Sequence, residues 1–196
     1  MGSGGRNLVA VLCNPPLTAG VRTLHRVRLA AQLLSFEEVQ VANLFALPSH
    51  STNEIATLGA SHEGWAAART NLQASLDASD GVLLAYGCTS PTGPARHNLF
   101  AQVEWLSDLL GTLGRPAWQV GDAPRHPSRW QRWTCRAHPE LTFPDALRAS
   151  LARYPSDASC PEGSGWPLFS GPMTLSWDRT APQDEEGRHQ TCRSAN

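Results

Sequence analysis

Four short apolar runs, each closed by turn-forming residues, set the tightest limit on what this chain can fold into. They are Leu8–Leu12 (LVAVL), Val39–Ala42 (VQVA), Gly81–Tyr86 (GVLLAY) and Ala117–Val120 (AWQV). Runs apolar at nearly every position suit strands buried on both faces, the condition of a parallel sheet covered by helices. Between them lie helical patterns. Thr23–Leu34 carries Leu24, Val27, Ala30, Leu33 and Leu34 on one side; Trp65–Leu76 does so with Ala68 and Leu72, and Asn98–Leu113 with Val103, Leu106 and Leu110. A last helix is expected over Phe143–Arg153. Alternating strands and helices imply right-handed crossovers, and the fold class expected is α/β: a three-layer α/β/α sandwich around a four-stranded, mostly parallel sheet.

A chain of 196 residues suits one domain with a real core, expected over residues 1–154. After Tyr154 the composition turns to Pro, Ser, Gly and Asp, with Trp166, Phe169 and Trp177 as isolated anchors. Residues 155–196 therefore read as an irregular extension, disordered from Asp184 onward. Pro and Arg interrupt every hydrophobic run, so no membrane span is expected. The first residues lack the apolar region of a secretory signal, which points to the cytoplasm. Five cysteines are scattered without a C-x-x-C pair, arguing against a disulfide scaffold, a zinc ribbon or an iron–sulfur cluster. Cys135 and His138 have a metal-like spacing, but a lone pair is a weak signal. No metal and no cofactor are expected.

Charge is more telling than its total. The formal net charge is −1, and all 16 basic residues are arginine. Arg6, Arg22, Arg26 and Arg28 precede the first acid, Glu37. A second stretch holds Arg115, Arg125, Arg129, Arg132 and Arg136 against Asp122 alone. Where two such segments meet, a near-neutral protein gains one basic face, the electrostatic footprint of a nucleic-acid binder.

Ligands of open parallel sheets bind beyond the carboxyl ends of the strands. Four unusual segments fall there: Cys13-Asn14-Pro15-Pro16, Asn43-Leu44-Phe45, Gly87, and Gly121 to Trp130. Taken alone, Asn14-Pro15-Pro16 is equally a turn, and Asn43 a helix cap or turn residue. As site residues, Asn14 would orient a water, while the Asn43 amide would donate and accept at a base edge. Arg125, Arg129, Arg132 and Arg136 recur at helical spacing among Trp130 and Trp133. That pattern suits phosphate clamps and an indole wedge, or else a solvated basic helix whose tryptophans face the core.

The order strand-Asn-Pro, strand-Asn-Leu, strand-Leu-Leu-Ala-Tyr-Gly and strand followed by His126-Pro127-Ser128 resembles the uracil-DNA glycosylase superfamily. Within it, the Asn-Pro opening, the Val-Ala-Asn-Leu-Phe-Ala-Leu block and the Arg-His-Pro stretch resemble a bacterial group bearing a domain of unknown function. The resemblance spans Leu8 to Trp130. It implies that Asn14 positions the attacking water, Asn43 contacts a base flipped out of DNA, and His126 stabilises negative charge on the leaving base. Trp130 would fill the vacated stack, and Ser128 with Arg125, Arg129 and Arg132 would hold backbone phosphates. Phe45 and Tyr86 are the candidates for stacking on the base, with Gly87 beside it. Uracil-specific members carry Tyr where Pro16 stands, and that ring blocks substituents at the C5 edge.

These expectations combine into a monofunctional DNA glycosylase. The open edge at Pro16 favours a C5-modified pyrimidine, such as the glucosylated hydroxymethylcytosine of phage DNA, and with it an anti-phage role. Strand cleavage through a Schiff base normally uses lysine, which the chain lacks, so the expected product is an abasic site in an intact strand. The expected partner is DNA, bound by a monomer with no obligate protein partner. Uracil or mismatch repair, a non-catalytic nucleic-acid binding module, and an enzyme acting on free nucleosides are the alternatives.

Overall fold

A computed structural model describes residues 5–17, 20–49 and 52–154. In chain order the elements are β1 (Asn7–Leu12), α1 (Val21–Leu33), β2 (Glu38–Asn43), α2 (Thr52–Leu58), α3 (Glu63–Asp77) and β3 (Gly81–Leu84). There follow α4 (Pro94–Leu113), β4 (Ala117–Val120), α5 (Pro127–Ala137), α6 (Phe143–Ser150) and β5 (Leu151–Arg153). The strands form one sheet in the order β2-β1-β3-β4-β5. β1 pairs in parallel with β2 and β3, β3 in parallel with β4, and β4 antiparallel with β5.

The two faces of β1 divide the core, because alternate side chains of a strand point to opposite sides. Val9 and Val11 join Val82 and Leu84 of β3 under Trp65, Leu72 and Leu76 of α3 and Leu106 and Leu110 of α4. Leu8, Ala10 and Leu12 join Leu83 and Val120 under Val27 and Ala30 of α1, Trp130 of α5 and Leu147 of α6. Helices thus cover both faces of a mostly parallel sheet, the three-layer α/β/α arrangement.

The edge of the sheet differs from expectation. Five strands are present rather than four, and the last helix stops at Ser150 instead of continuing to Arg153. Leu151–Arg153 is an edge strand in which Ala152 faces Gln119 and Arg153 faces Trp118, with the Arg153 guanidinium 4.8 Å from the Trp118 ring centre. A strand of three residues shows no period of its own. Its extended form comes from antiparallel pairing with β4. Helix α2 is a further element that no apolar pattern in the sequence predicts. The expected extension over 155–196, with its disorder from Asp184, lies outside the described residues.

Candidate active site

The strand register carries the four segments to one rim. Val11 pairs with Leu84, so Asn14 and Gly87 each lie three residues past that pair. Leu12 pairs with Asn43, and beyond them Leu44 and Phe45 donate their N–H groups to the carbonyls of Leu12 and Cys13. The loop after β3 meets the loop after β4 where the Gly87 N–H donates to the Pro124 carbonyl at 2.6 Å. Gly87 has φ +96°, and a Cβ there would stand 3.5 Å from Cβ of His126. That contact is an ordinary one, so what calls for glycine here is the left-handed backbone.

Asn14 is held by its amide nitrogen. Nδ2 donates to the carbonyls of Pro15, at 2.9 Å, and Ser49, at 3.1 Å. The second bond ties the β1 loop to the segment after β2 and consumes the donor end of the side chain. What remains for chemistry is Oδ1, an acceptor only.

His126 is the N-cap of α5, followed by Pro127 at the first helical position, where a missing N–H costs nothing. The Ser128 N–H donates to His126 Nδ1 at 3.2 Å, and the Ser128 hydroxyl lies 2.9 Å from the same nitrogen. A backbone N–H can only donate, so Nδ1 carries a lone pair and the proton of the neutral ring sits on Nε2. Burial, then the charges of Arg129 and Arg26, pushes the His126 pKa below the ordinary 6.5. The ring is therefore neutral at physiological pH and presents an N–H donor.

The two arginine-rich segments do meet. α1 packs against α5, and Arg26 spans the contact, donating from Nη1 to the Pro127 carbonyl and from Nη2 to Gln131 Oε1, both at 2.8 Å. Burial and the neighbouring Arg22 lower the Arg26 pKa. Among the described residues the ion pairs are Arg125–Asp122 and Arg148–Asp145. Arg22, Arg26, Arg129 and Arg132 share in neither, and the last two are exposed. Arg26 and Arg129 thus place positive charge beside His126.

Three sequence expectations change. Trp130 is not a wedge: it is fully buried in the core beneath the sheet, and its indole N–H donates to the Arg125 carbonyl at 2.6 Å. It pins the Gly121–Arg125 loop onto α5. Phe45 is not a stacking platform either, being fully buried with its ring centre 4.7 Å from that of Trp65. A Cβ on Gly64 would collide with the Phe45 ring, so the packing there is tight. Arg125 is committed to Asp122 at 2.6 Å, to the Val120 carbonyl at 3.0 Å and to the Trp133 ring at 4.5 Å, so it organises its loop rather than standing free.

The other residues sit at the rim. Pro16 and Ser128 are exposed, while Asn43, Tyr86 and Gly87 are half-buried. Tyr86 packs against the Val9 side of the core, and burial, then Tyr154 and Cys88, raises its pKa. Asn43 Oδ1 is buried and has no hydrogen-bond donor among the described residues. Such atoms are rare in native proteins and mark places where a ligand or water supplies the donor. Arg26 and the Ser49 carbonyl are the contributors that the sequence motifs did not single out. Arg26 was visible only as one member of a basic run, and the Ser49 carbonyl had no sequence signal.

Among the described residues, no three His, Cys, Asp or Glu side chains gather as a metal site, and no helix is long and apolar enough to cross a membrane. No protein-family model matches the chain, and neither a curated protein nor a solved structure does.

Proposed function

We propose that this rim is the active site of a monofunctional DNA glycosylase that excises a flipped, C5-modified pyrimidine, glucosylated hydroxymethylcytosine being the favoured example. The reading is carried by His126: a neutral imidazole, its tautomer set by the Ser128 N–H, with a donor at Nε2 and the positive charge of Arg26 and Arg129 beside it. As the glycosidic bond breaks, electrons pass to the base and the sugar becomes an oxocarbenium-like cation. Nε2–H hydrogen-bonds the growing base anion without surrendering its proton. A preorganised donor of this kind contributes roughly a hundredfold to a thousandfold in rate.

Asn14 complements it. With Nδ2 fixed on two carbonyls, Oδ1 accepts a hydrogen bond from water and aims its lone pair at the sugar. A neutral carboxamide orients this water but does not deprotonate it strongly, which is adequate for capturing a cation. Asn43 Oδ1, an acceptor without a donor, suits the exocyclic amine of a cytosine. Tyr86 offers the aromatic surface that Phe45 does not. Arg22, Arg26, Arg129 and Arg132 would neutralise phosphates and offset the few kcal/mol that flipping costs.

The test is release of free base from modified DNA, leaving a strand that breaks only on alkaline treatment. His126→Ala should lower release roughly a hundredfold to a thousandfold, and Asn14→Ala should abolish it, both leaving DNA binding at low salt intact. Binding with no release from any modified DNA would favour a non-catalytic nucleic-acid module on the same fold.

A further inference from the structure

A cavity of about 480 Å³ lies between β2, the edge strand of the sheet, and α3. Its walls include neither Asn14 nor His126, but it reaches the rim at Pro15 and Asn43. Farther along, the walls carry Gln40 on β2 and Asn71 and Ser75 on α3. Every polar side chain lining it is a carboxamide or a hydroxyl, and none is charged. Phosphate or carboxylate would find no cation there, and an amine no anion.

The polar wall is preorganised. Gln40 Nε2 donates to Ser75 Oγ at 2.9 Å, and Ser75 Oγ donates to the Asn71 carbonyl at 2.8 Å. Those bonds fix Gln40 across the strand–helix junction while leaving its carboxamide oxygen and second N–H to a ligand. The side-chain amide of Asn71 is exposed beside it. Paired donors and acceptors without charge, set among small aliphatic side chains, match hydroxyl groups, each of which donates and accepts. The volume falls within the roughly 300–1,000 Å³ of small-molecule sites.

We infer that this cavity receives a neutral, hydroxyl-rich substituent of hexose size, carried on C5 of the flipped pyrimidine. The inference rests on the glycosylase reading for the placement of the base, since Pro15 and Asn43 are where cavity and rim join. Gln40, Asn71 and Ser75 hold the sugar hydroxyls, and Asn43 marks the boundary between base and substituent.

The experiment has two arms on the intact protein. In the first, free glucosylated 5-hydroxymethyldeoxycytidine and the unglucosylated nucleoside are titrated while side-chain amide NMR signals of Gln40, Asn43 and Asn71 are followed. In the second, DNAs carrying each base are scored for base release by wild type, Asn71→Ala and Ala74→Trp. Ala74 is an exposed wall residue, so its indole would fill the cavity from the helix side. The expected result is that only the glucosylated nucleoside moves the Gln40 and Asn71 signals. Wild type should favour glucosylated DNA at least tenfold in kcat/KM, and both variants should reduce that preference toward one. Unmoved signals, or a preference surviving both variants, would overturn the sugar site. Sugar-dependent shifts without base release from any DNA would leave the sugar site and remove the glycosylase. Base release without sugar preference would do the reverse.

Discussion

Ser128 and His126 define each other: the Ser128 N–H reaches His126 Nδ1 at 3.2 Å, capping α5 and fixing the imidazole tautomer in a single bond. A helix cap and a candidate electrostatic catalyst are thus the same side chain, which makes the two roles separable by substitution.

His126→Ala should lose both. Removal of a side-chain N-cap costs about 1 kcal/mol of stability. Base release should fall roughly a hundredfold to a thousandfold. His126→Asn, a good N-cap residue, should recover the stability and not the rate. Thermal melts paired with single-turnover base release check this, and recovery of both by Asn would show that only the cap matters.

The depressed pKa of His126 also predicts a pH response. The unfolded chain takes up the histidine proton near 6.5, and the folded chain only below that value. Between the two the unfolded state holds the extra proton, so stability rises with pH through this window. The contribution is complete above 6.5 and is lost as pH falls below it. Melting temperatures at pH 8 and pH 5 should therefore drop less in His126→Asn than in wild type. Equal drops would contradict the burial of a neutral ring.

Asn14→Asp tests the amide clamp. A carboxylate in place of Nδ2 would face the carbonyls of Pro15 and Ser49 with no proton to give either. Leaving part-buried acceptors against one another costs roughly 1–3 kcal/mol. The urea midpoint should fall accordingly, even though aspartate is the better base for activating water. An unchanged midpoint would mean that the clamp contributes nothing.

Trp130 should behave as a core residue. Trp130→Ala should destabilise by roughly 3–5 kcal/mol. Trp130→Phe loses the bond to the Arg125 carbonyl and part of the indole volume, roughly 1–3 kcal/mol. A DNA wedge would show the opposite: full stability with impaired base flipping, read by the fluorescence of 2-aminopurine opposite or beside the target.

The strands were legible because the runs around Val9 and Val82 are apolar at successive positions, which only burial on both faces explains, and that of Val120 is broken only by Gln119. The basic face was legible as charge asymmetry, although the contact that creates it, Arg26 on Pro127 and Gln131, joins residues about a hundred apart. Interleaved Arg and Trp along 125–136 did not disclose which face turns inward. Burial resolves that, with Trp130 inside and Arg129 and Arg132 outside. β5 and the Asn14–Ser49 clamp were illegible for one reason: each depends on a partner supplied by the tertiary fold rather than on any local pattern.

The most direct measurement exposes purified protein to DNAs containing uracil, cytosine, hydroxymethylcytosine or glucosylated hydroxymethylcytosine and counts alkali-labile sites, with Asn14→Ala alongside. The predicted result is sites in the glucosylated DNA alone, none with Asn14→Ala, and no strand breaks before alkali, because the chain has no lysine to form a Schiff base. Alkali-independent nicking would contradict the monofunctional mechanism, and the absence of abasic sites in all four DNAs would contradict a glycosylase acting on these bases.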